Sequence, residues 1–371
     1  MPGAGPRVLP LRGRHDALTT SLEPRHRDLV QPHARQAQKR MDAMTRERHE
    51  TYVRSLVVDG LIISKWSEDV FREMCESGLS AANCTCSVWE NFEDTVRNLV
   101  AWNEWFRAFP HYIVRAESTA DIRAAKAAGK TAIVLGMQNT SAFEDRIGYV
   151  EILKKLGVGI AQLTYNTQNW VGSGCYESRD SGLSDFGREV VLEMNRVGML
   201  CDLSHVGPAT SRDAIDTSTR PVAYSHCLPS GLKAHPRNKS DEELRYIVDR
   251  GGFVGVTMFP PFLAKGIDAT IDDYVAAMDY VINLVGDEAV GIGTDFTQGY
   301  GQDFFDWITH DKGFGRRLTR FGEIVNPAGI RTIADFPNIA EAMDRAGWSD
   351  RKIENVLGRN WIDLLDRVWA G

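Results

Sequence analysis

Three side chains form the set most able to do chemistry: His205, His226 and Asp295. The chain has nine histidines, of which four fall in the first fifty residues, and two of the remaining five, His205 and His226, close short apolar runs. Neutral imidazole is the commonest metal-binding side chain near neutral pH. Adjacent parallel strands lie ~4.8 Å apart, so two imidazoles at neighbouring strand ends can share one ion. Asp295 would then supply a third ligand or a general base. Three hydrogen-bonded polar residues at a barrel rim account for the same pattern equally well. Arg237, within His235-Pro236-Arg237-Asn238-Lys239-Ser240, adds a planar fork suited to both oxygens of a carboxylate. The plainer alternative is a surface arginine near a helix start.

These residues need a scaffold, and the apolar pattern supplies one. Eight β-rich runs recur: Leu56 to Ile63, Ala81 to Val88, Thr131 to Met137, Gly159 to Tyr165, Met199 to Leu203, Pro221 to Ser225, Gly252 to Met258 and Ala289 to Thr294. Several are almost continuously apolar, as strands buried on both faces require. Helical patterns fill the gaps at Ser67 to Ser77, Asn91 to Phe109, Thr119 to Ala128, Ile147 to Leu156, Ser184 to Val197, Ala209 to Thr217, Ser240 to Arg250 and Ile271 to Val285, with two or three short helices after Asp335. The stripe Trp102, Trp105, Phe106 and Phe109 has the spacing of a helix face packed on a core.

Strands alternating with helices imply parallel pairing and right-handed crossovers. The count favours a closed (β/α)8 TIM barrel, and no GxGxxG follows the first run to suggest dinucleotide binding. In such barrels catalytic groups sit at the C-terminal strand ends. Here those ends carry Asp59, Leu61, Ile63 and Lys65; Trp89 and Glu90; Gln138 and Asn139; Tyr165 and Asn166; Asp202, Ser204 and His205; Ser225 and His226; Phe259; and Asp295.

Composition bounds the function. With 43% hydrophobic and 25% charged residues the chain reads as a globular protein able to bury a large core. A net charge of -7 argues against nucleic-acid or anionic-membrane partners and fits a small-molecule substrate. The six cysteines form no CxxC pair, and Cys84 and Cys86 read as two small buried residues. No apolar run approaches a membrane span and no signal-peptide core appears, so a cytoplasmic protein with reduced thiols is expected. Residues 1–42, rich in Arg, His and Pro, read as a flexible tail or an over-extended start, with a basic interaction arm as the alternative. Residues 43–371 form a single barrel domain.

Several segments together resemble the renal (membrane) dipeptidase family. They are Gly182-Leu183-Ser184-Asp185-Phe186-Gly187, Asn195-Arg196-Val197-Gly198, Asp202-Leu203-Ser204-His205-Val206, Ser225-His226, Arg237-Asn238 with Ser240-Asp241-Glu242, and Gly291-Ile292-Gly293-Thr294-Asp295-Phe296. The resemblance runs from about residue 52 to the end. It implies an amidohydrolase-like barrel that cleaves dipeptides, including those with a C-terminal D-residue, usually with two zinc ions. It makes His205 and His226 metal ligands, Arg237 the carboxylate clamp and Asp295 the acid that handles a proton near the scissile amide. It also suggests a homodimer or higher homo-oligomer.

The departures are specific. The family's first strand ends Asp-Gly-His-x-Asp, where the His and the second Asp bind one zinc; here Asp59-Gly60-Leu61-Ile62-Ile63 has aliphatic side chains instead. The family's metal-bridging Glu is replaced by Gln138, a poorer bridge, and its substrate-polarising His by Tyr165. Glu90 is a candidate replacement carboxylate, although a glutamate at a helix start is the plainer reading. The expected centre is therefore one divalent metal, zinc first, with iron or manganese as alternatives, held by His205, His226 and Gln138, Asp295 or water. Tyr165 and Asn166, in a loop with Gln168, Asn169 and Trp170, would meet the substrate, and the insertion at 297–330 reads as a lid. The expected function is a dipeptidase-like metallohydrolase acting on a dipeptide, small amide or modified amino acid with a carboxylate. The alternatives are a metal-free binding or regulatory protein on the same scaffold, or a non-hydrolytic enzyme of amino-acid-derivative breakdown.

Overall fold

The computed structural model describes residues 49–369; the N-terminal tail at 1–42 lies outside them. The apolar runs become strands β1 (Val58–Ile62), β2 (Ala81–Ser87), β4 (Thr131–Met137), β5 (Val158–Gln162), β6 (Leu200–Asp202), β7 (Ala223–Cys227), β8 (Phe253–Val256) and β9 (Val290–Ile292). A further short strand, β3 (Ile113–Arg115), was not visible in the pattern. Hydrogen bonding follows the order β1-β2-β4-β5-β6-β7-β8-β9 with every pair parallel. The ring closes where Asp295 N donates to Leu61 O (3.0 Å) and Ile63 N to Phe296 O (2.9 Å). This is the expected (β/α)8 barrel. β3 lies off the ring, paired with the first half of β4 through Ile113 and Thr131.

Helices α1 (Glu50–Arg54), α2 (Glu68–Ser77), α3 (Phe92–Ala108), α4 (Thr119–Ala127), α5 (Gly148–Lys155), α6 (Asp185–Val197), α7 (Pro208–Thr217), α8 (Asp241–Val248), α9 (Ile271–Val285), α10 (Gln302–Ile308), α11 (Asn338–Arg345), α12 (Asp350–Glu354) and α13 (Asn360–Trp369) surround the ring or extend its ends. Most starts are fixed by local chemistry. Ser67, Asn91 and Ser184 accept from the backbone N–H three residues on, and Ser240 with Glu243 forms a capping box. On α3, Trp102 is fully buried while Trp105, Phe106 and Phe109 pack against the core, as the stripe predicts. Cys84 and Cys86 are buried and free.

The barrel floor is plugged by Trp361 of α13, whose indole donates to Ile292 O (2.8 Å). Its fit depends on glycine at the strands it touches. A Cβ at Gly60 would lie 2.4 Å from both Trp361 and Ser225 O. With the floor filled, the other end of the barrel is left for chemistry. Among the described residues no helix is long and apolar enough to cross a membrane.

Candidate active site

His205 and His226 leave the ends of β6 and β7, and their rings meet with Nε2 to Nε2 at 3.1 Å. What holds each ring decides which nitrogen carries the proton. Ser225 gives its hydroxyl hydrogen to Asp202 Oδ2 (2.5 Å), so its oxygen accepts from His226 Nδ1 (2.7 Å). The Asn166 carbonyl Oδ1 accepts from His205 Nδ1 (2.7 Å). Nδ1 of each ring is thus engaged by a side chain, and the two Nε2 atoms are turned towards one another. Burial, followed by the Arg237 charge, pushes both rings well below the ordinary imidazole range, so both are neutral near neutral pH.

Below the pair, Asp202 ties β6 to β7. It accepts from Ser204 N (3.0 Å), Ser204 Oγ (2.6 Å) and Ser225 N (2.9 Å) as well as Ser225 Oγ. Arg237 spans the same two strand ends, donating to Ser204 O (2.5 Å) and His226 O (2.8 Å). It is wholly buried, its Nε has no partner among the described residues, and it sits beneath the Phe262 ring at 5.6 Å. Lys239, also buried, donates to Val206 O (2.6 Å) beside His205. Sequence reasoning missed Asp202, Ser225 and Lys239 as supports. The Asp-x-Ser-His and Ser-His spacing was the available signal, because a side chain one or two residues before a strand-end histidine can reach it.

Asp295 leaves β9 with φ at 61°, and Asn166 has φ at 65°. Left-handed backbone is uncommon for non-glycine residues, and Asn and Asp tolerate it best. Burial pushes the Asp295 carboxyl up to about 6, against the opposing pull of Arg237. Gln138 donates through Nε2 to Thr85 Oγ1 (2.9 Å), leaving Oε1 as its ligand-type atom. Tyr165 stacks on His205 with ring centroids 4.2 Å apart, and burial raises its phenol, so it stays protonated. Gln138, Tyr165, Asn166, His205 and Asp295 line one cavity with Ile63 and a set of aromatic side chains.

The other expected participants stand elsewhere. Trp170 is 69% exposed, and Asn169 ties Asn139 and Leu163 together as loop structure. Glu90 bends back to Val88 N (2.6 Å), the local role of a residue at a helix start. Leu61 is buried. The insertion after Asp295 contributes α10, whose Phe304 and Ile308, with Phe321 beyond, close over the mouth. The cavity opens to solvent but is narrow within, about 20 Å³, room for little more than a water-sized body. The aromatic chain Trp307, Trp89, Tyr165 and His205 links lid to site, with successive centroids 4.7, 5.0 and 4.2 Å apart.

Among the described residues no group of three or more His, Cys, Asp or Glu side chains is placed to hold a metal ion. The described residues therefore do not supply the ligands of a two-metal centre. Two imidazole nitrogens turned to one another at 3.1 Å are spaced to share one proton or, with that proton gone, one cation.

Fold and site together define an amidohydrolase-like barrel. The sequence matches the model for membrane dipeptidase (peptidase family M19) over residues 33–307, and the chain belongs to that family. It is 32% identical over 248 residues to an uncharacterized dipeptidase of Schizosaccharomyces pombe, covering 65% of this chain and 53% of that protein. It is 28% identical over 286 residues to the dipeptidase aclJ of Aspergillus oryzae, covering 76% and 62%. The chain thus spans less than two thirds of either relative. A crystal structure of an amidohydrolase from Pseudomonas aeruginosa is 61% identical with a TM-score of 0.86, covering 87% of this chain and 99% of that one.

Proposed function

We propose that this chain is a dipeptidase-like hydrolase for a dipeptide, small amide or modified amino acid bearing a carboxylate, and that it works with one divalent metal ion. The carrying observation is the His205–His226 pair, in which both Nδ1 atoms are engaged and the two Nε2 atoms converge. His205 and His226 would hold the ion, with Gln138 Oε1 beside them. Zinc is the first candidate, and iron and manganese follow. Such an ion polarises a carbonyl or lowers the pKa of a bound water.

The remaining steps belong to side chains. Asp295, ionised above about pH 6, takes a proton near the scissile amide. Tyr165 stays a neutral donor at the cavity wall. Arg237 is a buried cation whose hydrogen bonds, among the described residues, go to two neutral carbonyls while Nε has none. A buried charge of this kind calls for an anion, and a substrate carboxylate supplies one. Asn166 acts through His205, holding its ring in place. The narrow interior has to widen to take a dipeptide, and Phe304, Ile308 and Phe321 of the 297–330 insertion line the part that would give.

The test is metal analysis of the purified chain together with a hydrolysis screen of dipeptides and N-acyl or N-methyl amino acids after reconstitution with zinc, manganese or iron. About one equivalent of metal and metal-dependent turnover are expected. Metal content below about 0.1 equivalent, with no rate change on adding any of the three, would sink the reading. That outcome would favour a metal-free binding protein, to which the lack of a three-residue ligand group among the described residues already lends support.

A further inference from the structure

We infer that the substrate residue bearing the carboxylate carries a bulky apolar side chain, received by the aromatic wall of Phe259, Phe262 and Phe321. This rests on the proposed role of Arg237 as the carboxylate partner. All three rings line the site cavity. Phe259 and Phe262 lie 5.1 Å apart, and Phe321 closes on them edge-on at 5.5 and 5.8 Å, with both interplanar angles 76°. Arg237 lies behind the cavity lining, its guanidinium carbon 5.6 Å from the Phe262 centroid, so a carboxylate attracted by its charge would bring its α-carbon substituent against Phe262.

The spacing between clamp and wall is built in. Asn238, next to Arg237, donates to Phe262 O (3.1 Å), and Lys233 donates to Pro261 O (2.8 Å) and Leu263 O (2.9 Å). The loop carrying the clamp and the turn carrying the wall are therefore tied to one another. Only Phe321 comes from the lid, so closure completes the wall over a bound side chain. Ile63 extends the apolar lining where the family has a metal-binding aspartate.

Aromatic walls also receive quaternary ammonium groups. Here Arg237 already places a cation against Phe262, and a second positive charge beside it would be repelled in a buried site. An uncharged apolar group has no such cost and gains from every methylene buried.

The experiment measures equilibrium binding, so it does not depend on turnover. The metal-reconstituted full chain is titrated by calorimetry with N-methanesulfonyl derivatives of glycine and of both enantiomers of alanine, leucine and phenylalanine, whose sulfonamide replaces the hydrolysable acyl group, and with trimethylglycine. Affinity should rise about tenfold or more from glycine to leucine or phenylalanine in at least one enantiomeric series. In Phe321→Ala and Phe262→Ala the phenylalanine derivative should fall towards the glycine value. Should Phe262→Ala not fold, Phe321→Ala, in the half-buried lid, still carries the test. A flat series, no binding by any derivative, or tighter binding of trimethylglycine would overturn the inference. The hydrolysis screen separates this from the parent reading. A gradient without any turnover keeps the wall and removes the hydrolase, while turnover with a flat series does the reverse.

Discussion

The two sides of the barrel mouth are built alike and furnished differently. At β6 and β7, Asp202 accepts four donors from Ser204 and Ser225. At β1 and β9, Asp59 accepts Leu61 N (3.2 Å), Thr294 N (2.8 Å) and Thr294 Oγ1. Both are buried aspartates that stitch one strand end to a neighbour's backbone and hydroxyl. On the first side the stitched residues lead into His205 and His226. On the second they lead into Leu61 and Ile63 on β1 and into Asp295 after β9, with no imidazole. The stitching is thus separable from ligation: it keeps the barrel mouth in shape whether or not a metal ligand stands above it.

If that division is right, the largest effect comes from the furnished side. His226→Ala removes a converging nitrogen and should cost metal and activity together, by more than the ~10–100-fold typical of an outer partner. Metal content and kcat/KM of the same preparation check this. Retention of metal by the variant would mean that the pair is no ligand. Ser225→Ala deletes the acceptor on Nδ1, the hydroxyl link to Asp202 and the contact with Ser204 Oγ (3.1 Å), while both imidazoles remain. Metal affinity should fall about 10–100-fold, while a saturating metal concentration restores most of the activity.

Leu61→Ala tests the bare side. It should leave metal content unchanged and lower stability by about 2–5 kcal/mol, as removing a buried leucine does. Denaturant unfolding and metal analysis read the two outcomes separately. Loss of metal here would show that the first strand end still serves the ion.

Much of this division was legible before the fold. Eight strands, the adjacency of His205 and His226, and the aliphatic pair Leu61 and Ile63 follow from periodicity and family resemblance. β3 escaped because three residues are too few to show a period, and only the first half of β4 calls it into place. The part of Asn166 escaped for another reason. A loop residue with left-handed backbone that reaches back to His205 has no sequence period to announce it. Arg237 was legible as a cation near the strand ends. Its burial beneath Phe262, with two carbonyls for partners, is a product of tertiary packing. So is the aromatic wall, since Phe259, Phe262 and Phe321 are brought together only by the turn after β8 and the lid that folds over it.

The smallest expected effect lies in the stitch of the bare side. Burial pushes the Asp59 carboxyl up to about 7, against the opposing hydrogen bonds from Thr294 and Leu61. Its ordinary value is 3.8, so between the two the folded chain binds a proton that the unfolded chain does not. The stability this contributes is present below about pH 4 and is lost as the pH rises through about 7. Asp59→Asn keeps an acceptor for Leu61 N and Thr294 N and cannot ionise. Relative to the natural chain the variant should therefore gain stability from pH 5 to pH 8, on the order of 1 kcal/mol for each pH unit crossed below about 7. Urea unfolding at the two pH values measures that difference. A constant difference would mean that Asp59 does not change ionisation in this window.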